Sequence, residues 1–118
     1  MDAETALADL REVSSQVQAA VILERGEVVA STLPEDGQGR AFGRAAHELL
    51  EAAQRLETRT TGELEQFEVA LREGSVLAVR DNERVVAATT APAPTVALVL
   101  YDLKTCLRAL SENDDQAH

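Results

Sequence analysis

The sequence contains one cysteine, Cys106, so no disulfide can close within the chain and no thiolate cluster can hold a metal ion. Aromatic side chains are also scarce, at 3%: there is no Trp, one Tyr (Tyr101) and two Phe (Phe42 and Phe67). A core must therefore be filled by Val, Leu and Ala, whose small volumes let backbones approach closely. Basic residues are few, with 11 Lys+Arg against 21 Asp+Glu and a formal net charge of -10. Such a field repels phosphate backbones and anionic membrane surfaces, which removes nucleic acid from the candidate partners. Long apolar runs are absent too, since no stretch approaches the ~20 residues of a membrane span. The start, Met1-Asp2-Ala3-Glu4, is acidic where a secretory leader needs basic residues. A cytoplasmic protein without membrane insertion is expected. Among the basic residues only Lys104 is lysine, and this Arg bias with abundant Ala is what a GC-rich bacterial genome produces.

What is present suits one soluble domain. A chain of 118 residues with 45% hydrophobic and 27% charged residues can wrap a single core and lies outside the disordered class. Residues 1–111 are read as that domain and residues 112–118 as a flexible acidic tail with nothing to bury.

Ala3, Leu7, Leu10 and Val13 recur at helical spacing, and Asp2 before them can accept from the open N–H groups of a first turn. Val17 to Leu23 is apolar on both alternating faces after Gln18, as in a strand covered on both sides. Glu24-Arg25-Gly26-Glu27 then supplies a turn, with Gly where positive φ is cheap, into the β-branched run Val28 to Thr32. After the loop Pro34 to Gly39, Ala41 to Glu57 is rich in helix formers, interrupted only by Gly43. Leu64 to Arg72 alternates in the manner of an edge strand, and Ser75 to Arg80 and Arg84 to Thr90 complete an antiparallel meander. Pro92 and Pro94 stop the sheet. Val96, Val99, Leu100, Leu103, Cys106, Leu107 and Leu110 then mark a final helical stripe, although Val96 to Leu100 alone also reads as a strand.

The apolar residues of the long helix cover roughly half of its circumference, more than the ~100° stripe needed to pack on one surface. Its own sheet can take Phe42, Leu49 and Leu56, whereas Ala41, Ala45 and Ala52 are small enough for a second helix to approach. A second copy of the chain is the simplest supplier. Arg44, His47, Glu48, Glu51 and Arg55 form the opposite, polar arc, which is either simply hydrated or faces a partner.

Catalytic signatures are missing. Gly37-Gln38-Gly39 has no following Gly-Lys-Ser/Thr and reads as a plain loop. His47 and His118 lack the spacing of zinc ligands, and no Gly-x-Ser-x-Gly elbow occurs. Glu63 and Glu65 are read as solvated, His47 as hydrated, and Cys106 as an inert core thiol because it sits on an apolar stripe. No enzyme activity, metal or cofactor is expected.

The element order, helix, hairpin, long helix, three-strand meander and helix, resembles that of the roadblock/LC7 family. The likeness is carried by Val17 to Ser31, by Gly62-Glu63-Leu64 opening the third strand, and by Val96 to Leu100 leading into Leu103, Leu107 and Leu110. The resemblance implies an α/β (α+β), roadblock/profilin-like fold: a five-stranded antiparallel sheet, the long central helix on one face and both terminal helices on the other. It also implies a homodimer joined through the long helix and third strand, which nominates Ala41, Phe42, Ala45, Leu49, Ala52 and Phe67 for the dimer interface. It further implies a non-enzymatic adaptor or regulator of a small Ras-like GTPase of the gliding-motility type, for which the polar arc of Arg44, His47, Glu48, Glu51 and Arg55 read from the helical wheel is the candidate partner surface. The alternative is a small-molecule-sensing or signalling scaffold domain without a GTPase partner.

Overall fold

The computed structural model describes residues 2–32, 43, 46–47, 65–70, 72, 74–81 and 84–116. The first helix, α1 (Ala3–Val13), begins at Asp2, whose carboxylate accepts from the Thr5 N–H at 2.8 Å. That bond from Thr5 holds the Asp2 carboxyl below the usual carboxylate range. The helix ends at Ser14, where the backbone turns extended and donates to the Leu10 carbonyl at 2.9 Å.

Strands β1 (Val17–Glu24) and β2 (Glu27–Ser31) form the expected hairpin. Arg25 and Gly26 both take positive φ, at 54° and 83°, the pair of left-handed residues whose twist matches that of the strands. Ile22 pairs with Ala30 but Leu23 with Val28, so Val29 bulges out and is exposed. Three more strands follow: β3 (Glu65–Ala70), β4 (Ser75–Arg80) and β5 (Arg84–Thr90). The sheet order is β2-β1-β5-β4-β3, antiparallel throughout, which makes β1 an interior strand and β3 an edge. Both positions agree with the sequence reading.

After Pro92 and Pro94, Val96–Gln116 forms the last described helix, α2, whose first bond runs from the Val99 N–H to the Thr95 carbonyl at 3.0 Å. The strand alternative for Val96 to Leu100 is thereby settled in favour of helix. Residues 111–116 continue that helix, where a frayed tail was expected, so residue 111 marks the end of the apolar stripe rather than of the helical backbone.

Alternation sorts the strand residues onto two buried faces. On one, Ala20, Ile22, Leu77, Val79, Val86 and Ala88 pack under Leu7 and Leu10 of α1 and under Val99, Leu103, Cys106, Leu107 and Leu110 of α2. On the other, Val21, Leu23, Ala78, Val85 and Ala87 meet Ala46, flanked by Val28 and Phe67. Gly43, Ala46 and His47 are helical, and the remainder of the expected helix from Ala41 to Glu57 lies outside the described residues. Val13 departs from expectation: placed on the apolar stripe of the first helix, it is 68% exposed as that helix's last residue.

Two glycines are required by close approach. A Cβ on Gly43 would stand 2.7 Å from Val28 Cγ2 and 3.4 Å from Leu23, which is why the helix carries Gly at this point. A Cβ on Gly74 would collide with the Thr90 carbonyl oxygen where β4 and β5 pair through Ser75 and Thr90. Cys106 is also part of the packing. Its thiol donates to the Ala6 carbonyl at 3.6 Å, and burial, aided by the Asp9 charge, pushes its pKa from an ordinary 9.0 up to about 12.

Three outcomes are expected from urea titrations. Gly74→Ala should lose about 3 kcal/mol, since backbone rather than a flexible side chain must give way. Gly43→Ala should lose about 1–2 kcal/mol despite the better helix propensity of Ala, and adding Val28→Ala should recover most of that loss; no recovery would show that Val28 is not the obstacle. The raised Cys106 pKa means its contribution is complete below pH 9.0 and lost as pH rises towards about 12. Wild type should therefore weaken more steeply than Cys106→Ala across that window, and parallel pH profiles would contradict the burial of the thiol.

Candidate interaction surface

Two surfaces stand out once the core is removed from consideration. The first lies on the Ala46 side of the sheet. Among the described residues, edge strand β3 is bonded to β4 alone, and its Glu65, Phe67 and Val69 are half-buried while Gln66, Glu68 and Ala70 are exposed. Phe67 stands across from Ala78, and it flanks the cluster that Ala46 covers. Its ring is therefore packed against that cluster and half-buried. Next to it, Glu65 pairs across the strands with Arg80, Oε2 to Nε at 3.3 Å, with both side chains mostly covered. This pair also removes Glu65 from the role of a solvated acid, because its carboxylate is held by a guanidinium.

His47 sits at the opposite end of this face. It was read as hydrated, yet it is half-buried, with Nδ1 covered, and its Nε2 would stand 3.8 Å from a Cβ on Gly26. The cause is tertiary: the β1–β2 turn lies beside the helix, a proximity that helical periodicity alone does not contain. His47 and Phe67 thus mark separate rims of one face and are not brought together. Of the other nominated residues, Ala41, Phe42, Arg44, Ala45, Glu48, Leu49, Glu51, Ala52 and Arg55 lie outside the described residues.

The second surface was missed by sequence reasoning. A groove of about 270 Å³ runs between α1 and α2, with Leu10 and Cys106 at its base and Asp9, Glu12 and Asp102 on its walls. Val13, Leu98 and Tyr101 are exposed along this helix pair. The available signal was Leu98 and Tyr101 lying off the apolar stripe of the last helix, but single exposed apolar residues are commonplace and carry little weight in a sequence.

Among the described residues, no group of three or more His, Cys, Asp and Glu is placed to hold a metal ion, and no helix is long and apolar enough to cross a membrane. The Cys106 thiol, protonated and buried, has little of the thiolate character that nucleophilic chemistry needs.

No protein-family model matches the chain, and no curated protein matches it. Solved structures do. The Roadblock/LC7 domain from Streptomyces avermitilis superposes with a TM-score of 0.83 at 14% identity, covering 96% of this chain and 98% of that one. The gliding protein MglB from Thermus thermophilus gives 0.66 at 17% identity, covering 92% and 89%. LokiProfilin2, solved in a complex with rabbit actin, gives 0.61 at 16% identity, covering 90% and 92%. At such identities it is shape that is shared: the chain has the roadblock/LC7 fold, an α+β architecture that it holds in common with a profilin.

Proposed function

We propose that this chain is a homodimeric adaptor that regulates or scaffolds a small Ras-like GTPase by surface contact and performs no chemistry of its own. The observation that carries the reading is Phe67. One of only three aromatic residues in the chain, it stands on an edge strand, packed against its own core yet only half-buried. A second copy laid against that strand covers the ring and pairs the open backbone edge at the same time. Ala41, Phe42, Ala45, Leu49 and Ala52 extend the same apolar surface in the sequence reading, and Arg44, His47, Glu48, Glu51 and Arg55 supply the face offered to the GTPase. The likeness to a gliding protein supports this assignment. A bacterial cytoplasm suits a chain whose one thiol is free and buried.

Light scattering at micromolar concentration should give twice the 12.7 kDa chain mass. Phe67→Asp should raise the dimer dissociation constant at least about tenfold while leaving the circular dichroism spectrum intact. Purified Ras-like GTPases of the source organism should be retained by the wild-type chain and less well by Arg44→Glu/Arg55→Glu, and GTP turnover measured alongside shows whether binding also accelerates hydrolysis. A monomer that retains no such GTPase would remove the basis of this reading.

A further inference from the structure

The layer formed by α1 and α2 lies on the face of the sheet opposite Ala46, so it takes no part in the surface just proposed. The two helices run antiparallel. Just past α1, the Gln16 side chain accepts from the Thr95 N–H at the start of α2, at 2.7 Å, whereas Cys106, farther along α2, reaches back to Ala6 near the start of α1. Between them the groove of about 270 Å³ opens to solvent. Its base is apolar, built by Ala6, Leu10 and Cys106, which are nearly fully buried. Its lip is anionic: α1 contributes Asp9 and Glu12, α2 contributes Asp102, and the described lining contains no Lys or Arg.

The apolar base continues outward at one end. Val13 lines the groove and is 68% exposed; Leu98, one helical turn before Asp102, is 51% exposed, and Tyr101 beside it is 61% exposed. Of the four large hydrophobic residues exposed among those described, three therefore belong to this helix pair, the fourth being the bulged Val29. The dimensions suit a few aliphatic side chains in a row, which a helix laid along the groove presents at i, i+3 or i+4, and i+7. The charge then selects among helices. Three carboxylates on the lip, on a chain of net charge -10, repel an acidic segment and equally a second copy of this chain, and attract a cationic one.

We infer that the α1–α2 groove docks a basic amphipathic helix of a partner protein. Its aliphatic side chains rest on Ala6, Leu10 and Cys106 and extend towards Val13, while its Lys or Arg residues meet Asp9, Glu12 and Asp102. A protomer so built can hold one partner on each side of its sheet.

The test is fluorescence anisotropy of the full chain at about 150 mM salt, with a labelled helical peptide carrying Leu at i, i+3, i+4 and i+7 and Lys or Arg on both flanks. A second peptide has the same composition with the order scrambled. The patterned peptide should bind at least about tenfold more tightly than the scrambled one. Ala109→Phe, which fills the groove without altering charge, should weaken binding at least about tenfold; if that variant melts early, Thr105→Trp at the more exposed lip serves the same purpose. Asp9→Asn/Glu12→Gln/Asp102→Asn should weaken it about three- to tenfold and flatten its salt dependence. Phe67→Asp should leave peptide binding unchanged, which separates this proposal from the dimer reading. Equal binding of both peptides would reduce the effect to general charge attraction and overturn the proposal, as would undiminished binding to the filled groove. A change in molecular mass on filling the groove would instead assign it to contact between copies of the chain, which also overturns it.

Discussion

The antiparallel pairing of β1 with β5 is the interaction on which the remainder of the structure depends. It joins Val17–Glu24 to Arg84–Thr90, segments far apart in the chain, along a ladder that runs from Val17 opposite Thr90 to Glu24 opposite Arg84. Without it the first hairpin and the later meander would each be a small sheet, too narrow to bury either face. With it, β1, β5 and β4 become the middle of one sheet, and Val21, Leu23, Leu77, Val79, Val86 and Ala87 all lose essentially all contact with water. A sheet buried on both sides needs a cover on both sides, and this obliges the chain to put helices above and below it.

Packing with so few aromatics has a further consequence. Layers separated by Ala and Val side chains come close together, and where Gly43 meets Val28 helix and sheet come close enough to exclude any side chain at all. Within the sheet itself, Gly74 meets the Thr90 carbonyl of the neighbouring strand, which leaves no room for a Cβ either. Tolerance to substitution is therefore narrowest at residues that carry no side chain, while Phe67 and Val69 on the edge strand are only half-buried. Two threonine hydroxyls at the ends of the sheet bond to backbone. The Thr90 hydroxyl donates to the Ala91 carbonyl at 2.8 Å, and the Thr32 hydroxyl accepts from the Ala20 N–H at 2.9 Å.

Two covers on one sheet also give the molecule two outer surfaces of different character. One is the rim around the central helix, where an aromatic residue and an Arg–Glu pair stand at the sheet edge and a histidine beside the hairpin turn. The other is an apolar trough with carboxylates on its lip. In the proposed reading both act through contact, so the acidic balance of the chain serves as a filter on its partners rather than as the source of a reaction.

Periodicity determined the elements. Strand alternation, helical stripes, the Gly26 turn, the Asp2 cap and the proline stop before Val96 are local properties of neighbouring residues, and a short-range physical rule reads each of them directly. The resemblance that nominated the fold rested on the same local order. Which strands become neighbours, why Gly43 must be Gly, why Glu65 is tied to Arg80, why His47 is half-covered and Val13 bare, and that two acidic helices leave a trough between them were decided only in the tertiary structure. Each of these arises between residues distant in the chain, whose proximity depends on how whole faces stack, and a linear pattern specifies the face of an element but not what comes to rest against it.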